Sequence, residues 1–184
     1  MLKRYAFVIV AAAAVGLAAC GGSDNPAVGS SGTTTTAAAA AGSGSTPTKA
    51  AFVAKANAIC TATNSSTAKI TPPSNTDPTT AKASDLPAWN QFLLKILPYG
   101  QQQTSQLKAL VAPAADQATV SSIWTKEDQV VADVQAIQEA AAAGNLNNFK
   151  SAYQKSETDA QAADQAATSY GLTQCGSGSS GNSG

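Results

Sequence analysis

The side chains in this sequence that could do chemistry are carboxylates. Glu127, Asp128, Asp133 and Glu139 fall within one predicted helix, and Glu157, Asp159 and Asp164 within the next. Paired carboxylates can work as general acid and general base. Most of these lie off the apolar positions of their helices and read as solvated faces. Glu127 differs, because positions 120, 123, 124, 127, 130, 131 and 134 share one helical face and all but 127 are apolar. A half-buried carboxyl there would have a perturbed pKa and is a candidate functional group. The plainer reading is an edge carboxylate that reaches water.

Around these acids, much chemistry is excluded. The chain has no histidine, which removes a histidine-dependent triad, histidine metal and haem ligands and a histidine pH switch. A di-metal bundle site needs a Glu-x-x-His pair on two helices, and none exists. Asp77 and Asp85 lack the acidic spacing of a calcium loop. The glycines of segments 21–44 and 176–184 have no lysine-bearing strand-to-helix setting for phosphate, and no serine sits in a nucleophile elbow. The expectation is no enzyme, no cofactor and no metal. Arg4 is the only arginine. Without a basic face, nucleic acid is a poor partner, and a polybasic membrane patch is absent too.

Aromatic residues offer one further candidate. Trp89, Tyr99 and Trp124, with Glu127 nearby, could line a ligand pocket where Pro98 bends a helix, since bundles bind ligands between helices. Gln101, Gln102 and Gln103 would set amides at its mouth. The alternative is that these aromatics are simply core.

The elements that must position these groups read as helices. The first runs from about Thr48 to Ala68, with Phe52, Ala56, Ile59, Cys60 and Thr63 on one stripe. It ends before Thr71-Pro72-Pro73-Ser74-Asn75-Thr76-Asp77-Pro78, a run of helix breakers. The second begins near Ser84-Asp85-Leu86-Pro87, a polar cap followed by proline. Its stripe is Trp89, Phe92, Leu93, Ile96, Leu97, Gln103, Leu107, Leu110 and Val111. Its phase persists across Pro98 and Gly100, which predicts one kinked helix rather than two. The third spans about Pro113 to Ala143, with a capping-box-like Thr125-Lys126-Glu127-Asp128 as a candidate break. Gly144 is a stop signal and Asn145 a cap. The fourth runs from Asn145 to Tyr170, with Leu146, Phe149, Tyr153, Ala160, Ala163, Ala167 and Tyr170 on one face before Gly171. No alternating β-type runs and no repeats appear. The expected fold is all-α: a four-helix antiparallel bundle over residues 49–176, about 128 residues and enough for one core.

The N-terminus is built differently. Lys3 and Arg4 precede an apolar stretch from Tyr5 to Val15, and small residues lead to Cys20. That layout fits a cleaved signal peptide over residues 1–19 and is short for a membrane-spanning helix. Leu17-Ala18-Ala19-Cys20 resembles the lipobox of bacterial lipoproteins. The resemblance implies that Cys20 receives a diacylglyceryl group and becomes the new N-terminus. Residues 20–48, rich in Gly, Ser, Thr and Ala, read as a disordered tether of roughly 30 Å typical span. Residues 177–184 read as a disordered tail. Removal of Lys3 and Arg4 would leave nine basic against eleven acidic residues, a net charge of −2. With Cys20 lipidated, Cys60 and Cys175 remain as a pair in a compartment that permits disulfides, and a bond between them is expected.

Phe52…Ala56-Asn57-Ala58-Ile59-Cys60, the hairpin around Ala143-Gly144-Asn145, and Tyr170-Gly171-Leu172…Cys175-Gly176 resemble a group of small exported lipoproteins from high-GC actinobacteria, over roughly residues 50–176. The resemblance implies an anchor, a helical domain and a cysteine pair, and no catalytic or ligand residue. The expected protein is a non-catalytic lipoprotein on the extracytoplasmic side of the cell membrane. Its partner would be an envelope protein, an envelope polymer or a small ligand. The alternatives are a carboxylate-dependent envelope enzyme and the solute-binding component of a transporter.

Overall fold

The computed structural model describes residues 46–176. The expected signal peptide, Cys20 with its lipobox-like run, nearly all of the expected tether and the expected tail at 177–184 lie outside the described residues. Four α-helices carry the fold: α1 Lys49–Thr67, α2 Leu86–Lys108, α3 Gln117–Ala142 and α4 Leu146–Tyr170. Short 3₁₀ turns at Pro78–Thr80, Ala83–Asp85 and Ala114–Asp116 sit in the connections. Among the described residues there is no strand, as the all-α reading expects. No helix among them is long and apolar enough to cross a membrane.

Local chemistry sets the helix ends. Thr48 Oγ1 accepts from Ala51 N at 3.2 Å and Asn145 Oδ1 accepts from Asn148 N at 3.0 Å, each satisfying an otherwise orphaned amide of a first turn. α4 stops at Gly171, whose φ of 110° is the left-handed conformation that closes a helix. α2 runs unbroken through Pro98. Proline deprives the Leu94 carbonyl of its helical donor, but Leu94 and Pro98 are both exposed, so water can take that carbonyl. α3 likewise runs through Thr125–Asp128 without the break that the capping-box pattern allowed.

Side-chain contacts show that neighbouring helices are antiparallel. Gln138 near the end of α3 bonds Asn90 near the start of α2, while Lys108 at the end of α2 pairs with Asp128. Lys155 of α4 reaches Asp133 of α3 at 2.7 Å. Phe52 at the start of α1 packs edge-on against Tyr170 at the end of α4, with centroids 6.1 Å apart. The turn after α4 brings the chain back to α1. There Asn57 Nδ2 donates to Gly171 O at 3.1 Å and Asn57 Oδ1 accepts from Gln174 N at 3.0 Å. Cys60 and Cys175 form the expected disulfide, with Cα atoms 4.9 Å apart across 115 residues of sequence.

The core divides into two clusters. At the disulfide end, Phe52, Ala56 and Cys60 meet Leu107, Val120, Ile123, Trp124, Ala167, Tyr170, Leu172 and Cys175. At the loop end, Ala81 and Leu86 meet Trp89, Phe92, Leu93, Ile137, Ala140, Ala141 and Phe149. Burying such side chains is the main favourable term in folding, about 1.5–3 kcal/mol for each large apolar residue.

Candidate functional site

Between the clusters lies a polar waist. Thr104, Glu127, Asp133 and Ser156 are the buried polar residues among the described ones. Each falls between the cluster positions of its own helix. On α2, Thr104 lies between Leu93 and Leu107; on α3, Glu127 and Asp133 lie between Trp124 and Ile137; on α4, Ser156 lies between Phe149 and Ala167. The antiparallel packing sets Asp133 beside Lys155 of α4 and Glu127 in the field of Asp164, about 9 Å apart along α3.

The waist handles its polar groups unequally. Thr104 donates to the Gly100 carbonyl one turn back at 3.0 Å, which satisfies its hydroxyl within α2. Asp133 is 4% exposed, yet its Oδ1 accepts from Lys155 Nζ at 2.7 Å and Gln129 Nε2 at 2.9 Å. Lys155 also bonds Asp159 at 2.6 Å. These bonds hold the Lys155 ammonium above its ordinary range, the Asp133 bond most of all. The solvated reading of Asp133 is therefore corrected: it points inward, and the long lysine stem brings a cation to it from the surface.

Glu127 has no such help. It is 8% exposed, and its Oε1 is a buried atom without a hydrogen-bond partner. Burial pushes its carboxyl up to about 7, and Asp164 and Asp128 push in the same direction. A neutral carboxyl is the form that a dry site with acidic neighbours favours. Glu127 thus sits deeper than the half-buried edge position expected from its periodicity.

The pocket expected around Trp89, Tyr99, Trp124 and Glu127 is not assembled. Trp89 packs in the loop-end cluster against Phe92 and Phe149, with centroids 5.9 and 5.7 Å away. Trp124 packs in the disulfide-end cluster against Phe52 at 6.3 Å. The reason is topological. Trp89 begins α2 and Trp124 lies in the first half of α3, and antiparallel helices send those two positions to opposite ends of the bundle. Tyr99 stands on the outside of α2, with 36% of its surface exposed.

Open grooves lie elsewhere on the described residues. One, about 510 Å³, runs between the end of α2 and the first half of α3, lined by Leu110, Val111, Val120 and Trp124, with Lys108 and Asp128 among its polar residues. Another, about 530 Å³, is lined by Ile70, Leu94, Lys95, Pro98, Tyr99 and Gln102. So Trp124 borders one groove, Tyr99 and Gln102 the other, and neither Trp89 nor Glu127 borders either.

Other titratable groups serve structure. Tyr170 donates to Asp116 Oδ2 at 2.8 Å beneath the Lys49 ammonium, which lies 4.2 Å from its ring centre. Burial, then the Asp116 carboxylate, pushes its phenol up to about 12. Asp77 accepts from the Thr79 hydroxyl and backbone, which hold its carboxyl below the usual range. Among the described residues no group of three or more cysteine or carboxylate side chains is placed to hold a metal ion.

Two buried polar positions, Ser156 and Thr104, carried no readable signal, because neither is apolar enough to mark a stripe. The Asp133 contacts did carry one: Gln129–Asp133 and Lys155–Asp159 are both four residues apart, a spacing that favours pairing on a helix. Compared with family models, curated proteins and solved structures, the chain matches none of them.

Proposed function

We propose that this chain is a lipid-anchored protein of the cell envelope whose helical domain faces the extracytoplasmic side. There it binds a partner protein, an envelope polymer or a small ligand without catalysing a reaction. One observation carries the reading: the run Leu17-Ala18-Ala19-Cys20 closing a segment with a basic start and an apolar middle. A bonded cysteine pair supports it, since disulfides persist in oxidising compartments outside the cytoplasm. Two acyl chains on Cys20 would hold the protein stably, whereas one would bind only reversibly.

Fractionation of host cells tests the anchor. The wild-type chain is expected in the membrane fraction and Cys20→Ala in the soluble fraction; a membrane-bound Cys20→Ala protein overturns the reading. Native mass spectrometry of the protein extracted in mild detergent tests the binding role. Extra mass lost on denaturation identifies a carried ligand, and the groove bordered by Trp124 is the first place to look for it.

The carboxylate-enzyme alternative has one observation on its side, the buried Glu127. It requires that Glu127→Gln abolish function while the fold and partner contacts persist.

A further inference from the structure

α3 buries two acids in the waist, each with one buried oxygen that lacks a hydrogen-bond partner, and they differ in the charges beside them. Asp133 receives Lys155. Glu127 receives no cation, and the charges acting on it are both negative: Asp164 from α4 and Asp128 from its own helix. α2 supplies Lys108, but that ammonium pairs with Asp128. α1 contributes Phe52, Ala56 and Cys60 to the adjoining cluster, and Cys60 does not titrate while bonded to Cys175. The turn after α4 brings Leu172 and Cys175 into that cluster and sets Gly176 against Asp164. An unpartnered carboxyl oxygen in such surroundings is tolerable when the group is neutral and costly when it is charged.

We propose that Glu127 is a proton-operated latch: neutral, it is sealed between the two clusters, and on ionising it loosens the seam between α3 and α4. Ionisation releases one proton to water, and the carboxylate left behind is relieved only by admitting solvent to the waist or moving away from Asp164. The chain has no histidine to serve this purpose near neutral pH.

The sign of the effect follows from linkage. The folded carboxyl is raised from 4.5 to about 7, so its contribution to stability is full below about pH 4.5. It is lost as pH rises, and nothing further is lost above about pH 7. The shifts of Asp77, Asp85 and Asp159 are downward, so their contributions change only in acid below this window.

Urea denaturation of the full chain at pH 5 and pH 8 tests the latch. In the wild type the folding equilibrium constant is expected to fall about 70-fold between those values. Glu127→Gln keeps the shape without the charge; it should lie within about fivefold of the wild type at pH 5 and change less than threefold by pH 8. Asp164→Asn should leave a fall that is smaller than in the wild type but still present. Hydrogen exchange, corrected for its intrinsic pH dependence, should show the added opening in α3 and α4 near the waist and less in α1. A wild type that is flat across the range overturns the proposal. So does a Glu127→Gln protein that keeps the wild-type fall, or opening that is as large in α1 as in the seam.

Discussion

The two ends of this bundle are held by different means. At the disulfide end, the first helix meets residues that follow the last one, and those partners are separated by most of the domain's length. Asn57 bonds the turn after α4 through both its amide nitrogen and its oxygen, and the Cys60–Cys175 bond closes the same contact covalently. At the loop end, α2, α3 and α4 meet with the loop that precedes α2, and α1 contributes no residue to the buried cluster. Its partners are joined by short connections and held without a covalent cross-link, by packing and by the Gln138–Asn90 hydrogen bond. Contacts between chain ends must overcome the entropy of closing a long loop, which local hairpins largely avoid. Covalent closure is placed where that cost is greatest.

Removing the closure should have the largest effect. Cys60→Ala combined with Cys175→Ala is expected to lower unfolding stability by about 4–5 kcal/mol on the chain-entropy argument, read by urea denaturation. Hydrogen exchange should show α1 and the Leu172 region losing protection before the neighbourhood of Phe149. Equal loss at both ends would mean that the bundle behaves as one unit and that the contrast has no energetic content.

The matching insult at the loop end is Phe149→Ala. Phe149 is fully buried and packs on Trp89, so the cavity should cost about 3–5 kcal/mol. Denaturation followed by tryptophan fluorescence would measure it. A cost below about 1 kcal/mol would mean that the loop-end cluster contributes little to holding the fold.

Smaller changes sharpen the comparison. Asn57→Ala removes both bonds to the returning chain and should cost about 1–2 kcal/mol. If the disulfide already fixes that turn, the loss should be greater after reduction than before, and equal losses under both conditions would separate the two restraints. At the loop end, Asn145→Ala deletes the α4 cap and should cost about 1 kcal/mol, whether or not the disulfide is reduced. Dependence of that loss on reduction would tie the two ends together.

Much of this organisation is legible in the residues. Phe52, Ala56 and Cys60 recur at helical spacing and are buried together. The proline-rich run after Thr71, Asn145 and Gly171 mark the helix boundaries to within a few residues. These signals are local: they depend on side-chain spacing, capping groups and left-handed turns within one stretch of chain. Even the unusual status of Glu127 shows in its periodicity, because a lone carboxylate amid apolar positions is conspicuous in one dimension. What failed was inference across helices. Trp89, Tyr99 and Trp124 look like neighbours around Pro98, but antiparallel packing separates Trp89 from Trp124 and Tyr99 faces outward from α2. Gln103 was expected inward on α2, yet Thr104 takes the buried place. A two-stripe helix in contact with two partners need not follow one idealised face.

The sequence by itself determined an all-α domain, its helix ends, and a cysteine pair available to join its first helix to its last turn, because those properties arise from short-range geometry and from the types of residue present. Only the tertiary structure decided which charges face which. Lys155 crosses from α4 to neutralise Asp133, while Asp164 crosses from the same helix to oppose Glu127. Two acids on one helix, both buried, differ because the energy of a charge depends on what lies within a few ångströms of it in space, and antiparallel packing rather than chain order sets that neighbourhood.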